Sequence, residues 1–84
     1  MAYYVYIVSS EDNKQIYTGI TVDMKRRMKL ICAQSEKTCK VVYYEEFDNS
    51  EEATRRFKEL ESLPKTLITE LVNENNPLWV DVLK

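Results

Sequence analysis

One run of residues constrains this chain more than any other: Tyr3-Tyr4-Val5-Tyr6-Ile7-Val8, which opens the organising stretch from Tyr3 to Met28. Both of its alternate sets are apolar, Tyr3, Val5 and Ile7 against Tyr4, Tyr6 and Val8. β-Branched and aromatic side chains suit a pleated surface, so Tyr3 to Ser9 reads as a strand. A strand that is apolar on both sides needs cover on both sides, which makes it central to a layered fold. Glu11, Asp12, Asn13 and Lys14 supply turn chemistry, and Gln15 to Ile20 reads as a second strand paired to the first as a hairpin. The only glycine in the chain, Gly19, lies in that second strand directly after Tyr17 and Thr18. A glycine inside a strand marks a close approach by another backbone or by a ligand.

The remaining pattern is helical with one strand. Thr21 is placed to cap a helix, with Asp23 in its first turn. Met24, Met28 and Ile31 form its apolar stripe, with Lys25, Arg26 and Lys29 mostly off it. Arg27 falls at the edge of that stripe, where a phosphate contact and an ion pair with Glu45 or Glu46 are equally open readings. Ala33 to Thr38 reads as a short polar connection, and Cys39 to Phe47 as the third strand. Asp48 or Asn49 caps the next helix, Asn49 having capping-box spacing to Glu52, and Ala53, Phe57 and Leu60 form its stripe. Pro64 is expected as the first residue of a third helix carrying Leu67, Ile68, Leu71 and Val72. Asn73 to Pro77 ends it, and a short extended segment or packed tail follows, with Trp79 as a lid on the core. The expected fold is α+β, in the order β-β-α-β-α-α-tail, with a small antiparallel three-stranded sheet flanked by helices in one domain over 1–84.

Several function classes drop out on chemical grounds. The chain has no histidine, and Cys32 and Cys39 form no CxxC, so a zinc site is not expected and the cysteines read as free thiols. Without histidine, acid-base chemistry falls to Tyr, Lys, Asp, Glu or a metal-bound water. No apolar run approaches the roughly 20 residues that a bilayer span needs, so no membrane association is expected. A strand-like start with no basic leader points to the cytoplasm. A net charge of −2 argues against a general nucleic-acid binder. Its distribution is uneven, though. Lys25, Arg26, Arg27, Lys29, Lys37 and Lys40 crowd between positions 25 and 40 against Glu36 alone, while acids dominate from Glu45 to Glu61.

Tyr4-Val5-Tyr6 followed by Tyr17-Thr18-Gly19 resembles the paired motifs of the GIY-YIG nuclease superfamily, in its small stand-alone bacterial form. The segments GITVDMKRRM, VVYYEEFDNSEEATRRFKELESL and NPLWVDVL resemble the first helix, the third strand with second helix, and the ending of such proteins, so the likeness covers nearly the whole chain. It implies phosphodiester hydrolysis in DNA by tyrosines, a helix-1 arginine and a glutamate that holds Mg²⁺ or Mn²⁺. Carried over by position, Tyr6, Tyr17 and Arg27 are the catalytic candidates and Gly19 the motif glycine. Arg26, Lys29 and Asn76 are candidate substrate contacts, and DNA is the expected partner of the Lys25 to Lys29 face. Aromatic packing in the sheet remains an equal reading for Tyr6 and Tyr17.

Two positions depart from the pattern: Ile31 stands where a histidine is common, and Phe57, within Arg56-Phe57-Lys58, stands where the metal-binding glutamate belongs. The loop before the third strand is also short. A phenyl ring gives a metal no lone pair, and both residues are expected to pack in the core. Glu61, one turn beyond Phe57, is the remaining substitute, displaced by about 5.4 Å. The resemblance with these departures implies a domain related to metal-dependent endonucleases with impaired or lost catalysis. The alternative is a non-catalytic nucleic-acid- or protein-binding module on the same fold.

Overall fold

A computed structural model of the chain describes residues 2–10, 12, 14–27, 29 and 39–82. Three strands, β1 (Tyr3–Ser10), β2 (Ile16–Thr21) and β3 (Cys39–Phe47), form an antiparallel sheet in the order β2-β1-β3. The two-sided apolar run therefore takes the centre. Val5 and Ile7 are buried among Val42, Ala53, Leu60, Ile68, Val72 and Trp79, while Tyr6 and Val8 are buried with Met24 and Val41. Among the described residues, helical segments provide the cover. Residues 24–27 and 29 belong to α1, which brings Met24 onto the Tyr6 side. Helices α2 (Ser50–Ser62) and α3 (Lys65–Asn75) supply Ala53, Leu60, Ile68 and Val72 to the other side.

The register fixes which side chains share a face. Tyr4 pairs with Thr21, Tyr6 with Gly19 and Val8 with Tyr17. Since side chains alternate along a strand, Gly19 and Tyr17 lie on the α1 side with Tyr6. Thr18 lies on the α2/α3 side together with Ile16 and Ile20, which pack against the larger core. On the other flank Tyr44 pairs with Tyr6, and a bulge follows, with Ile7 opposite Tyr43 and Val8 opposite Val41. Val42 is the extra residue, so Val42 and Tyr43 both serve the larger core while Val41 serves the smaller one.

Two helix starts differ from expectation. Thr21 is the last residue of β2, and its hydroxyl accepts from the backbone N–H of Asp23 at 3.1 Å. The cap of α1 is Asp23, whose Oδ1 accepts from the backbone N–H of Arg26 at 3.1 Å, as a carboxylate at that position is able to do. Pro64 precedes α3 instead of starting it: its ψ of 154° is extended, and Lys65 is the first helical residue. At α2 the expected cap is present, with Asn49 Oδ1 accepting from the Glu52 N–H at 2.9 Å.

The closing segment packs as a tail. Trp79 is buried, with a left-handed φ of 53°, and its indole N–H donates to Asn73 Oδ1 at 2.6 Å. Val82 N–H donates to the carbonyl of Val41 at 2.9 Å, fastening the tail to β3. Among the described residues no helix is long and apolar enough to cross a membrane. Ile31, Cys32 and the 33–38 connection lie outside the described residues.

Candidate nucleic-acid interface

The strand register explains the lone glycine. Tyr6 is 3% exposed, and its ring lies across its cross-strand partner Gly19. A Cβ added at Gly19 would sit 2.9 Å from Cε1 of that ring and closer still to Cζ and the hydroxyl oxygen. Gly19 has no positive φ, so its requirement is for space and not for backbone freedom. The close approach anticipated for this residue is made by a side chain of the neighbouring strand.

With its ring seated there, Tyr6 presents its hydroxyl to α1. Arg27 Nε donates to that oxygen at 3.1 Å. Arg27 itself is exposed, so one donor of the guanidinium is fixed while its terminal N–H groups lie at the protein surface. Lys25, Arg26 and Lys29 are exposed on the same helix. Tyr17 is 60% exposed and turns its hydroxyl to Gln15 Oε1 at 2.9 Å. It thus shares a face with Tyr6 and Arg27 without joining their hydrogen bond.

The ion pair once open to Arg27 belongs to another arginine. On the α2/α3 side Arg56 Nε and Nη2 both donate to the Glu45 carboxylate at 3.0–3.1 Å, and Nη1 reaches Glu59 at 3.2 Å. Glu45 Oε2 also accepts from the Tyr43 hydroxyl at 2.5 Å. Burial, followed by that bond to an anion, pushes the Tyr43 phenol up to about 12 from its ordinary 10.0. The Arg56 guanidinium holds its proton more tightly than usual, chiefly through its hydrogen bonds to Glu45.

The metal-holding positions are arranged differently. Phe57 is half-buried and packs against the larger core on the α2/α3 side. Glu61 is exposed and accepts from Thr18 Oγ1 at 2.8 Å, which ties it to the side of the sheet opposite Arg27. Among the described residues no three carboxylate or thiol groups converge on a point. The side-chain bond of Arg27 is to a phenol, and its neighbours Lys25, Arg26 and Lys29 on α1 are cations, which gives a divalent ion little to bind there. With Phe57 in the core and Glu61 bonded to Thr18, the described residues do not fit the metal implied by the resemblance.

Asn76 also departs from the expected substrate contact. It is buried, its Nδ2 donates to the carbonyls of Val42 at 2.9 Å and Val80 at 2.8 Å, and its Oδ1 accepts from Val80 N–H at 3.3 Å. Both amide hydrogens are committed to backbone, so Asn76 clips the tail to β3. Sequence reasoning also passed over Tyr4, Val22 and Tyr44, which line a hollow beside the Tyr6–Arg27 pair. Tyr44 could be placed there only once the β1–β3 register was known.

The family comparison meets this geometry at the residues just described. The model of the GIY-YIG catalytic domain matches residues 2–69, and the chain belongs to that family. It is also similar to a UPF0213 protein from Bacillus halodurans solved by solution NMR, with 28% identity, a TM-score of 0.66, and coverage of 94% of this chain and 90% of that one. No curated protein matches the chain. Membership relates the domain to nucleases that are generally metal-dependent, and the shared fold is the three-stranded antiparallel sheet flanked by helices.

Proposed function

We propose that this domain binds DNA through its α1 face and that its phosphodiester hydrolysis is impaired or lost. The observation that carries this reading is the split between the two sides of the sheet. The Tyr6–Arg27 pair stands on a basic, exposed helix, while Phe57, at the carboxylate position, is packed into the opposite core. A guanidinium fork fixed through one nitrogen is suited to a phosphate, because its remaining donors match two phosphate oxygens. Lys25, Arg26 and Lys29 add sequence-independent attraction, which positions DNA without reading its bases. Hydrolysis needs in addition a group that delivers water to the phosphorus, and Glu61 faces away from that place.

The test is plasmid nicking with Mg²⁺ or Mn²⁺ alongside a DNA gel shift, for wild type, Arg27→Ala, Glu61→Ala and Phe57→Glu. The expected result is DNA binding that weakens in Arg27→Ala, with little or no nicking by wild type. A gain of metal-dependent nicking in Phe57→Glu would support the loss at this position. Robust wild-type nicking that vanishes in both Arg27→Ala and Glu61→Ala overturns the reading.

A further inference from the structure

Beside the Tyr6–Arg27 pair is a hollow of about 320 Å³ lined by Tyr4, Val22, Asp23, Met24, Lys25 and Tyr44. Its walls are apolar and aromatic, and two of them are open to solvent. Val22 is 52% exposed and Tyr44 42% exposed, although Tyr6, Val8 and Val41 on the same side of the sheet are fully or almost fully buried. The Tyr4 and Tyr44 rings meet edge to face, with centroids 6.1 Å apart and planes at 64°, which buttresses Tyr44 in place. Lys25 and Asp23 stand at the rim, one a cation and the other a hydrogen-bond acceptor. Tyr44 is the cross-strand partner of Tyr6, so one wall of the hollow stands on the strand next to the tyrosine that holds Arg27, about 5 Å away along the backbone pairing.

We propose that this hollow is a stacking site for an unpaired base of single-stranded DNA. The inference rests on the DNA-binding reading above and names the form of DNA that the α1 face takes. Two features select this occupant. The charge is complementary: Lys25 lines the hollow with Asp23, Arg27 is held by Tyr6, the cross-strand partner of Tyr44, and Arg26 and Lys29 are exposed on the same helix, a net positive surface that suits a polyanion. The aromatic surface is positioned for it as well, because every base has a π-face that stacks on tyrosine, and single strands are bound by such platforms set along a basic track. In a duplex the bases are already stacked and hydrogen-bonded, so the hollow distinguishes single strands by the availability of the base. Backbone contact at Arg27 and base contact at Tyr44 are adjacent, as they are in one nucleotide.

Fluorescence anisotropy with a labelled 20-mer tests this, offered as a single strand and as a blunt duplex of the same sequence. Wild type is expected to bind the single strand more tightly. Tyr44→Ala weakens that binding about tenfold and leaves the duplex unchanged, whereas Tyr44→Phe keeps the ring and stays within about twofold of wild type. Thermal melts of both variants verify that the fold is intact, as the exposure of Tyr44 leads one to expect. Equal losses on both DNA forms, or no loss on either, overturn the stacking site and leave the DNA-binding reading standing. If wild type binds neither form, both readings fall.

Discussion

Among the described residues, Val42, Ala53, Leu60, Ile68, Val72 and Trp79 are buried with Val5 and Ile7 on the α2/α3 side of the sheet, whereas Val8, Met24 and Val41 are buried with Tyr6 on the α1 side. The first side is joined by the Tyr43–Glu45–Arg56–Glu59 network and by the Thr18–Glu61 bond. The second leaves Arg27, Lys25, Arg26, Lys29, Tyr17 and Tyr44 exposed. Among the described residues, side-chain bonds between elements gather on the first side and the exposed cations of α1 on the second. Phe57 packs against the larger core, where an apolar group adds burial, while the Tyr6–Arg27 bond stands on the other side of the sheet.

The largest effect that can break this comparison is in the core. Leu60→Ala is expected to cost about 2–5 kcal/mol in urea unfolding, since it empties a fully enclosed site. Met24→Ala, in the smaller cluster, is expected to cost distinctly less, and equal costs would sink the claim that the two sides differ in role. Next in size is Gly19→Ala, expected to destabilise by about 1–3 kcal/mol by driving a methyl group into the Tyr6 ring. Combining it with Tyr6→Ala should reveal a coupling of about 1 kcal/mol or more, because the clash needs both side chains. An additive double mutant would contradict the ring's placement over Gly19.

The smallest effect is pH-dependent. Tyr43 has its folded value raised from 10.0 to about 12, so the folded state favours the neutral phenol. Its contribution is present in full below about pH 10 and is lost as pH rises towards 12. Tyr43→Phe should therefore flatten the stability profile over that interval, as read by urea unfolding at stepped pH. An unchanged alkaline slope would remove Tyr43 from the network.

Much of this was legible beforehand, for identifiable reasons. The two-sided apolarity of Tyr3 to Val8 dictated a covered central strand, and the Asn49–Glu52 spacing located the start of α2. The bounds of β3 also agree with the apolar run from Cys39 to Phe47. What stayed hidden depended on atoms far apart in sequence. No local signal shows that Arg56 reaches Glu45, or that Asn76 has both amide hydrogens bonded to backbone. Asp23 displaced Thr21 as a cap because β2 runs one residue further than its apolar pattern, and the strand's end decides which side chain meets the helix. The Tyr44 hollow depended on register, which a period-two pattern leaves free until the strands are paired.

The seat of the Tyr6 ring on Gly19 also sets an order in which this protein can change over generations. The aromatic residue can shrink first, because a smaller side chain fits over a glycine. The glycine cannot grow first, because Cζ and Cε1 of the ring already occupy the room its side chain would take, and phenylalanine at position 6 would occupy it too. A lineage leaving this arrangement thus has one open door: it gives up the ring first, and with it the hydroxyl that holds Arg27.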